Sequence, residues 1–67
     1  MTLKQIRESK NLSLRQVADK MNCSAPFICL VENGKRTVKV EFLLRLAKVY
    51  KVGVLTLIKA VGNYEER

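Results

Sequence analysis

The sequence lacks histidine and tryptophan, and its 67 residues include only two cysteines, one proline and three glycines. Without histidine, no side chain has an unperturbed pKa suited to proton transfer near neutral pH, and no glycine-rich phosphate loop is present. Cys23 and Cys29 are too few for a disulfide scaffold, and their spacing matches no common zinc pattern. We therefore expect no enzymatic activity, no metal and no cofactor.

Long apolar runs are also absent. No stretch approaches the roughly 18 residues that a membrane span needs, and the N-terminus lacks the apolar core of a secretory signal. We expect a cytoplasmic protein with no membrane partner.

Acidic residues are scarce. The sequence has six aspartates and glutamates but 13 lysines and arginines, which gives a net charge of +7. Residues 1–39 hold eight basic and three acidic side chains (+5), and residues 40–67 hold five and three (+2). Such an excess favours an anionic partner such as nucleic acid. A chain this short forms one domain with a small core.

Apolar periodicity and capping signals predict five short helices and no strand. Thr2 with Gln5 and Ser13 with Gln16 are spaced as capping boxes at the first two helix starts. The predicted helices span Leu3–Lys10, Leu14–Met21, Ala25–Glu32, Val40–Lys51 and Val54–Val61.

The last part of the chain contains one segment with an alternative structure and one segment outside the predicted helices. Val52–Leu57 is rich in β-branched residues, so a strand is the alternative there. Residues 63–67 are expected to form a frayed, flexible tail after a domain spanning residues 1–62.

Residues 13–34 contain two short amphipathic patterns that meet at a polar turn, and the second ends at Asn33-Gly34. In a small basic chain, this spacing indicates a helix-turn-helix, which lays its second helix in the DNA major groove.

The sequence resembles the lambda-repressor-like, Cro-type (XRE-type) helix-turn-helix family over about residues 3–58. The resemblance is carried by Leu3-x-x-Ile6-Arg7, Ser13-x-x-x-Val17-Ala18, Ser24-x-x-x-Ile28-x-x-Val31-Glu32-Asn33-Gly34-Lys35-Arg36 and Leu43-Leu44-x-Leu46-Ala47. It implies a compact all-α domain of five helices that is usually dimeric on double-stranded DNA and regulates transcription in bacteria or phages.

The resemblance also implies roles for individual residues. Arg7 and Glu32 match a pair that ties the first helix to the end of the recognition helix and holds the arginine near a phosphate. Asn33, Lys35 and Arg36 match positions that touch the DNA backbone through side chains and main-chain N–H groups. Contacts of this kind give affinity and register without reading sequence. The full expected phosphate-contact set is Arg15, Asn33, Lys35, Arg36 and Lys39.

The recognition helix departs from the family pattern. The three positions that commonly read bases match Ala25, Pro26 and Leu30, which carry no hydrogen-bonding side chain, and Leu14 stands where the family usually has glutamine. Two interpretations remain open: contact with thymine methyls plus DNA shape, or a protein-binding surface. The residues expected to face the groove are Ser24, Ala25, Pro26, Phe27, Cys29 and Leu30.

Apolar residues on the last two helices exceed what the family core needs. They indicate either a larger core or a homodimer seam at Phe42, Val49, Leu55, Ile58 and Val61. The prediction is a sequence-specific, dimeric repressor that reads a palindromic operator with its third helix. The alternative is a protein-interaction module of the same fold, such as an antirepressor or the partner of a larger regulator.

Overall fold

Five helices and two two-residue strands make up the regular structure in the computed structural model, which describes residues 1–62 and 64–65. The helices are α1 (Leu3–Ser9), α2 (Leu14–Met21), α3 (Ala25–Glu32), α4 (Val40–Tyr50) and α5 (Val54–Val61). The strands are β1 (Val38–Lys39) and β2 (Tyr64–Glu65). The predicted all-α class is confirmed. None of the described helices is both long and apolar enough to cross a bilayer.

Side chains at the helix starts satisfy backbone N–H groups that have no partner within the helix. The Thr2 hydroxyl accepts from the Gln5 amide at 3.1 Å, and the Gln5 side chain accepts from Thr2 at 2.8 Å. Ser13 and Gln16 repeat this capping box at α2. Both predicted boxes are therefore confirmed.

Two helices end one residue earlier than predicted. Lys10 is the C-cap of α1 rather than its last residue. Lys51 adopts a left-handed conformation with φ of +58° and terminates α4 at Tyr50. Asn11 and Asn22 share that left-handed geometry, which asparagine tolerates well. The strand alternative for Val52–Leu57 is wrong, because α5 occupies most of that stretch.

The prediction of no strand is wrong at four residues, two of which lie in the predicted tail. β1 and β2 pair in parallel, with Val38 opposite Tyr64 and Lys39 opposite Glu65. Val38 is buried and Tyr64 is partly buried against the core, so apolar packing accompanies the backbone pairing. The other tail positions, 63, 66 and 67, lie outside the described residues.

The core is assembled from the inward faces of all five helices. Val17 of α2, Leu43 and Tyr50 of α4, and Leu57 of α5 are almost completely buried. Leu44 of α4, by contrast, is 46% exposed. The packing presents one side of α3 to solvent and buries Ile28 and Val31 on the other.

Candidate nucleic-acid interface

The solvent face of α3 is a narrow ridge with few polar groups. Ser24 caps the helix by accepting from the Phe27 amide at 3.2 Å, and Pro26 lies in the first turn, where its missing N–H is harmless. Pro26, Leu30 and Asn33 follow one another on this face, and Leu30 is 39% exposed. Few side-chain donors or acceptors are therefore available for reading base edges.

Two other residues expected in the groove are only partly exposed. Ala25 packs against the core. The Cys29 sulfur accepts a hydrogen bond from the Asn33 side-chain amide at 3.4 Å. Each presents only part of its surface at the margin of the ridge.

The structure corrects the expected surroundings of Phe27 and Phe42. The Phe27 ring turns toward α4 and meets the Phe42 ring edge-to-face, with centroids 5.7 Å apart and planes at 72°. The Arg36 guanidinium carbon lies 5.6 Å from the Phe27 centroid. Phe27 therefore packs sideways at the edge of the ridge because a large ring gains more from aromatic and cation contacts than from water. Phe42, which was predicted in the dimer seam of the last two helices, packs on Phe27 within the same chain.

Basic side chains border both edges of the ridge. Arg15 shares a shallow groove between α2 and α3 with Ala25 and Pro26. On the opposite edge, Arg36 and Lys39 line a groove with the two phenylalanines. Lys35 is exposed in the loop that follows α3. The expected phosphate-contact residues therefore surround α3.

The main-chain N–H groups of Asn33 and Lys35, which were predicted to touch the DNA backbone, already have partners within the chain. The Lys35 amide donates to the Leu30 carbonyl at 2.9 Å, and the Asn33 amide donates to the Cys29 carbonyl at 3.0 Å. These bonds satisfy the last carbonyls of α3, which have no partner within the helix. The predicted phosphate contacts of Asn33 and Lys35 are therefore left to their side chains.

Arg7 and Glu32 form the expected pair, which joins α1 to the end of α3. Arg7 Nε donates to Glu32 Oε2 at 2.7 Å, Nη2 donates to Oε1 at 3.4 Å, and Nη1 donates to the Leu12 carbonyl at 2.8 Å. Both side chains are less than 10% exposed. The resemblance placed Arg7 near a phosphate, but its donors are directed into the protein.

Charge and burial around this pair shift two pKa values. The hydrogen bond to Glu32 raises the pKa of Arg7 above its ordinary value. Burial, followed by the negative charge of Glu32, raises the pKa of Tyr50 from 10.0 to about 12. The Glu32 carboxylate thus acts on the pKa values of both Arg7 and Tyr50.

Sequence reasoning missed a further contact that orients the helix-turn-helix. Arg45 of α4 donates from Nη2 to the Met21 carbonyl at the end of α2, at 3.0 Å. A cation at a helix C-terminus is favourable for both the hydrogen bond and the helix dipole. The only feature of the sequence that could have indicated this contact is that Arg45 follows Phe42 by three residues, so that both lie on one side of α4.

The predicted dimer seam has one prominent residue. Leu55 is 67% exposed, whereas Val49, Ile58 and Val61 are partly buried within the same chain. The seam stays a prediction.

The comparison with known proteins agrees with this geometry. A helix-turn-helix domain family matches residues 1–57. The chain belongs to this helix-turn-helix family. The resemblance predicted from the sequence is therefore confirmed.

Relatives carry regulator names. An uncharacterized HTH-type transcriptional regulator of Mycobacterium tuberculosis, found in two strains, is 32% identical over 59 residues, which cover 88% of this chain and 42% of the relative. The HTH-type transcriptional regulator DdrOP3 of Deinococcus deserti is 28% identical over 65 residues, covering 97% of this chain and 50% of the relative. The chain thus spans half or less of the length of these relatives. No solved structure matches it significantly.

Proposed function

We propose that the domain binds double-stranded DNA as the recognition module of a transcriptional regulator, with α3 in the major groove. The observation that carries this proposal is the exposed ridge of α3 with Arg15 at one edge and Arg36 at the other. A helix fits the major groove, which is about 12 Å wide, and cations beside it meet the two phosphate ridges. Family membership and the names of the relatives support the same function.

Phosphate contacts supply most of the affinity in this proposal. Arg15, Lys35, Arg36 and Lys39 contact the backbone, aided by the Asn33 side chain, in a chain whose net charge is +7. Each neutralised phosphate releases counterions, so log K falls with log salt by about 0.9 per contact.

Sequence preference in this proposal comes from apolar contact and DNA shape. Pro26 and Leu30 touch thymine methyls, and they leave polar base edges unmatched. Preference for a T-rich site with favourable groove geometry follows.

The proposed assembly is a homodimer on a palindromic operator. The exposed Leu55 of α5 meets its counterpart on a second copy, and the two α3 helices lie about 34 Å apart, one DNA turn. The outcome is repression, because an occupied operator excludes other proteins from the same DNA. The protein then acts in the cytoplasm, associated with the nucleoid.

Selection from random duplexes at near-physiological salt tests the function, followed by affinity measurements across salt concentrations. We expect an enriched T-rich palindrome. Lys35→Ala with Arg36→Ala should weaken binding to every duplex and flatten the salt slope by about 2. The matched control is Lys48→Ala with Lys59→Ala, which removes two exposed charges outside the loop and should change the slope less. Equal slopes for both double variants would contradict the proposed interface.

Sedimentation tests the dimer separately. Leu55→Glu buries a charge in the proposed seam and should yield monomers. Thr56→Glu adds the same charge at an exposed neighbour and should leave the dimer intact. A dimer that survives Leu55→Glu would place the seam elsewhere.

The apolar ridge also favours a second candidate, a protein-interaction module of the same fold. Pro26 and Leu30 provide an exposed apolar surface of the kind that protein partners cover. A selection that enriches no duplex, with salt-independent binding to a protein partner at this ridge, would favour this alternative.

A further inference from the structure

Three side chains from different parts of the chain form one stack beside the recognition helix. Phe27 comes from α3, Phe42 from α4, and Arg36 from the loop between them. The two rings meet edge-to-face at 5.7 Å, and the Arg36 guanidinium lies 5.6 Å from the centre of the Phe27 ring. These two phenylalanines are the only ones in the chain, and both belong to this stack.

The stack restricts a side chain that is otherwise long and mobile. A guanidinium over an aromatic face is attracted by the negative charge density of the ring, which opposes free rotation of the arginine. The edge contact from Phe42 fixes the plane of the Phe27 ring. The position of the Arg36 charge is thereby tied to α3, although Arg36 belongs to the loop.

The Arg36 charge also remains available to an external anion. Among residues 1–62 and 64–65, the only ion pair is the one between Arg7 and Glu32, so no described carboxylate forms an ion pair with Arg36, although Glu41 lines the same groove. Arg36 is exposed, and an aromatic ring attracts a cation without cancelling its charge.

We infer that Phe27 is a positioning residue, which holds the Arg36 guanidinium at the edge of α3 where it meets a DNA phosphate, and that Phe42 fixes the ring in turn. The inference rests on the proposed DNA binding. It gives both phenylalanines a role that does not involve contact with the bases. A positioned guanidinium loses less freedom when it binds a phosphate, so the stack raises affinity without a contact of its own.

The first test needs no DNA. In the free protein, NMR should show the Arg36 side-chain protons shifted upfield by the Phe27 ring. Phe27→Tyr keeps the ring and should keep the shift, whereas Phe27→Leu keeps an apolar side chain and should abolish it. Thermal unfolding of both variants checks that the fold is intact. Unshifted Arg36 protons in the unmodified protein would overturn the inference.

The second test is a double-mutant cycle with duplex DNA at fixed salt. Phe27→Leu should weaken binding by about two- to fivefold, and Phe27→Tyr should bind as the unmodified protein does. Arg36→Ala should cost less affinity in the F27L background than in the unmodified chain. An identical cost in both backgrounds, or an equal loss for Phe27→Leu and Phe27→Tyr, would overturn the positioning role.

The two experiments separate this inference from the proposed function. If the unmodified protein binds no duplex at low salt, the DNA proposal fails even where the ring shift is present. If the duplex binds but the cycle shows no coupling, DNA binding stands and Phe27 does not position Arg36.

Discussion

Arg7 and Arg36 both lie beside α3, yet their surroundings differ completely. Arg7 is 7% exposed, and its guanidinium donates to the Glu32 carboxylate and the Leu12 carbonyl. Arg36 is exposed in the loop after α3 and rests on the Phe27 ring. One arginine is paired with a carboxylate inside the protein, and the other lies at the surface without an ion pair among the described residues.

The difference shows that an arginine's role is decided by what fills its donor sites. A buried guanidinium needs a carboxylate because desolvating an unpaired charge is costly, and that pairing removes the charge from any other use. An aromatic ring attracts a guanidinium but leaves its N–H groups directed outward. We therefore expect Arg7 to contribute to stability and keep Arg36 as the proposed phosphate contact.

The largest effect should come from breaking the buried pair. Arg7→Ala leaves the Glu32 carboxylate buried without a partner and should lower the free energy of unfolding by about 3–5 kcal/mol. Urea denaturation followed by circular dichroism measures this loss, and Arg7→Lys provides a milder variant if the alanine protein does not fold. Arg7→Met with Glu32→Leu removes both charges and should recover much of the lost stability. A loss below about 1 kcal/mol for Arg7→Ala would contradict the structural role.

Alkaline pH should lower the free energy of unfolding more gradually, through ionisation of the buried Tyr50 phenol. The pKa of Tyr50 is raised from 10.0 to about 12, so the fold favours the neutral phenol. The resulting stability is fully present below pH 10 and is lost as the pH rises toward 12. Two pKa units correspond to a loss of about 2–3 kcal/mol.

The Tyr50→Phe variant isolates this effect, since it lacks the ionisable phenol. Unfolding measured between pH 9 and 12 should show the unmodified protein losing stability relative to Tyr50→Phe. Parallel curves for the two proteins would mean that Tyr50 does not titrate as its burial requires.

A smaller loss of stability is expected from weakening the contact between Phe27 and Phe42. Phe42→Leu removes the edge-to-face contact with Phe27 and should lower stability by about 1 kcal/mol. The same variant should reduce the upfield shift of the Arg36 protons, because the Phe27 ring is no longer fixed. Unchanged stability together with an unchanged shift would show that Phe42 does not support the stack.

The smallest effect on stability should follow from Arg36→Ala. Surface substitutions of this kind usually change the free energy of unfolding by less than about 0.5 kcal/mol. Urea denaturation alongside Arg7→Ala makes the comparison direct. If the two variants lost similar stability, the distinction between the arginines would not hold.

Local signals in the sequence predicted most of the fold. Capping boxes need residues only three apart, and Thr2 and Ser13 mark the starts of α1 and α2 correctly. The bounds of α2, α3 and α5 also match the prediction, because cap residues and apolar periodicity agree at each helix. The Arg7–Glu32 pair was reached through family resemblance, since 25 residues separate its members.

Contacts between distant segments could not be predicted. Val38 and Tyr64 pair across 26 positions, and neither flanking sequence carries a strand signal long enough to recognise. Phe27 was predicted to face the groove from its place in the third helix, whereas the neighbour of its ring depends on how α3 and α4 pack. The site was therefore predicted as a set of residues, and their individual roles required the structure.

The parallel pairing of β1 with β2 provides a practical route to an optical reporter. Tyr64 pairs with Val38. Val38 belongs to the segment that joins the Arg36 loop to α4. Since the chain contains no tryptophan, Tyr64→Trp would introduce a single indole fluorophore there without altering any proposed contact residue. Its emission could follow loop occupancy in real time.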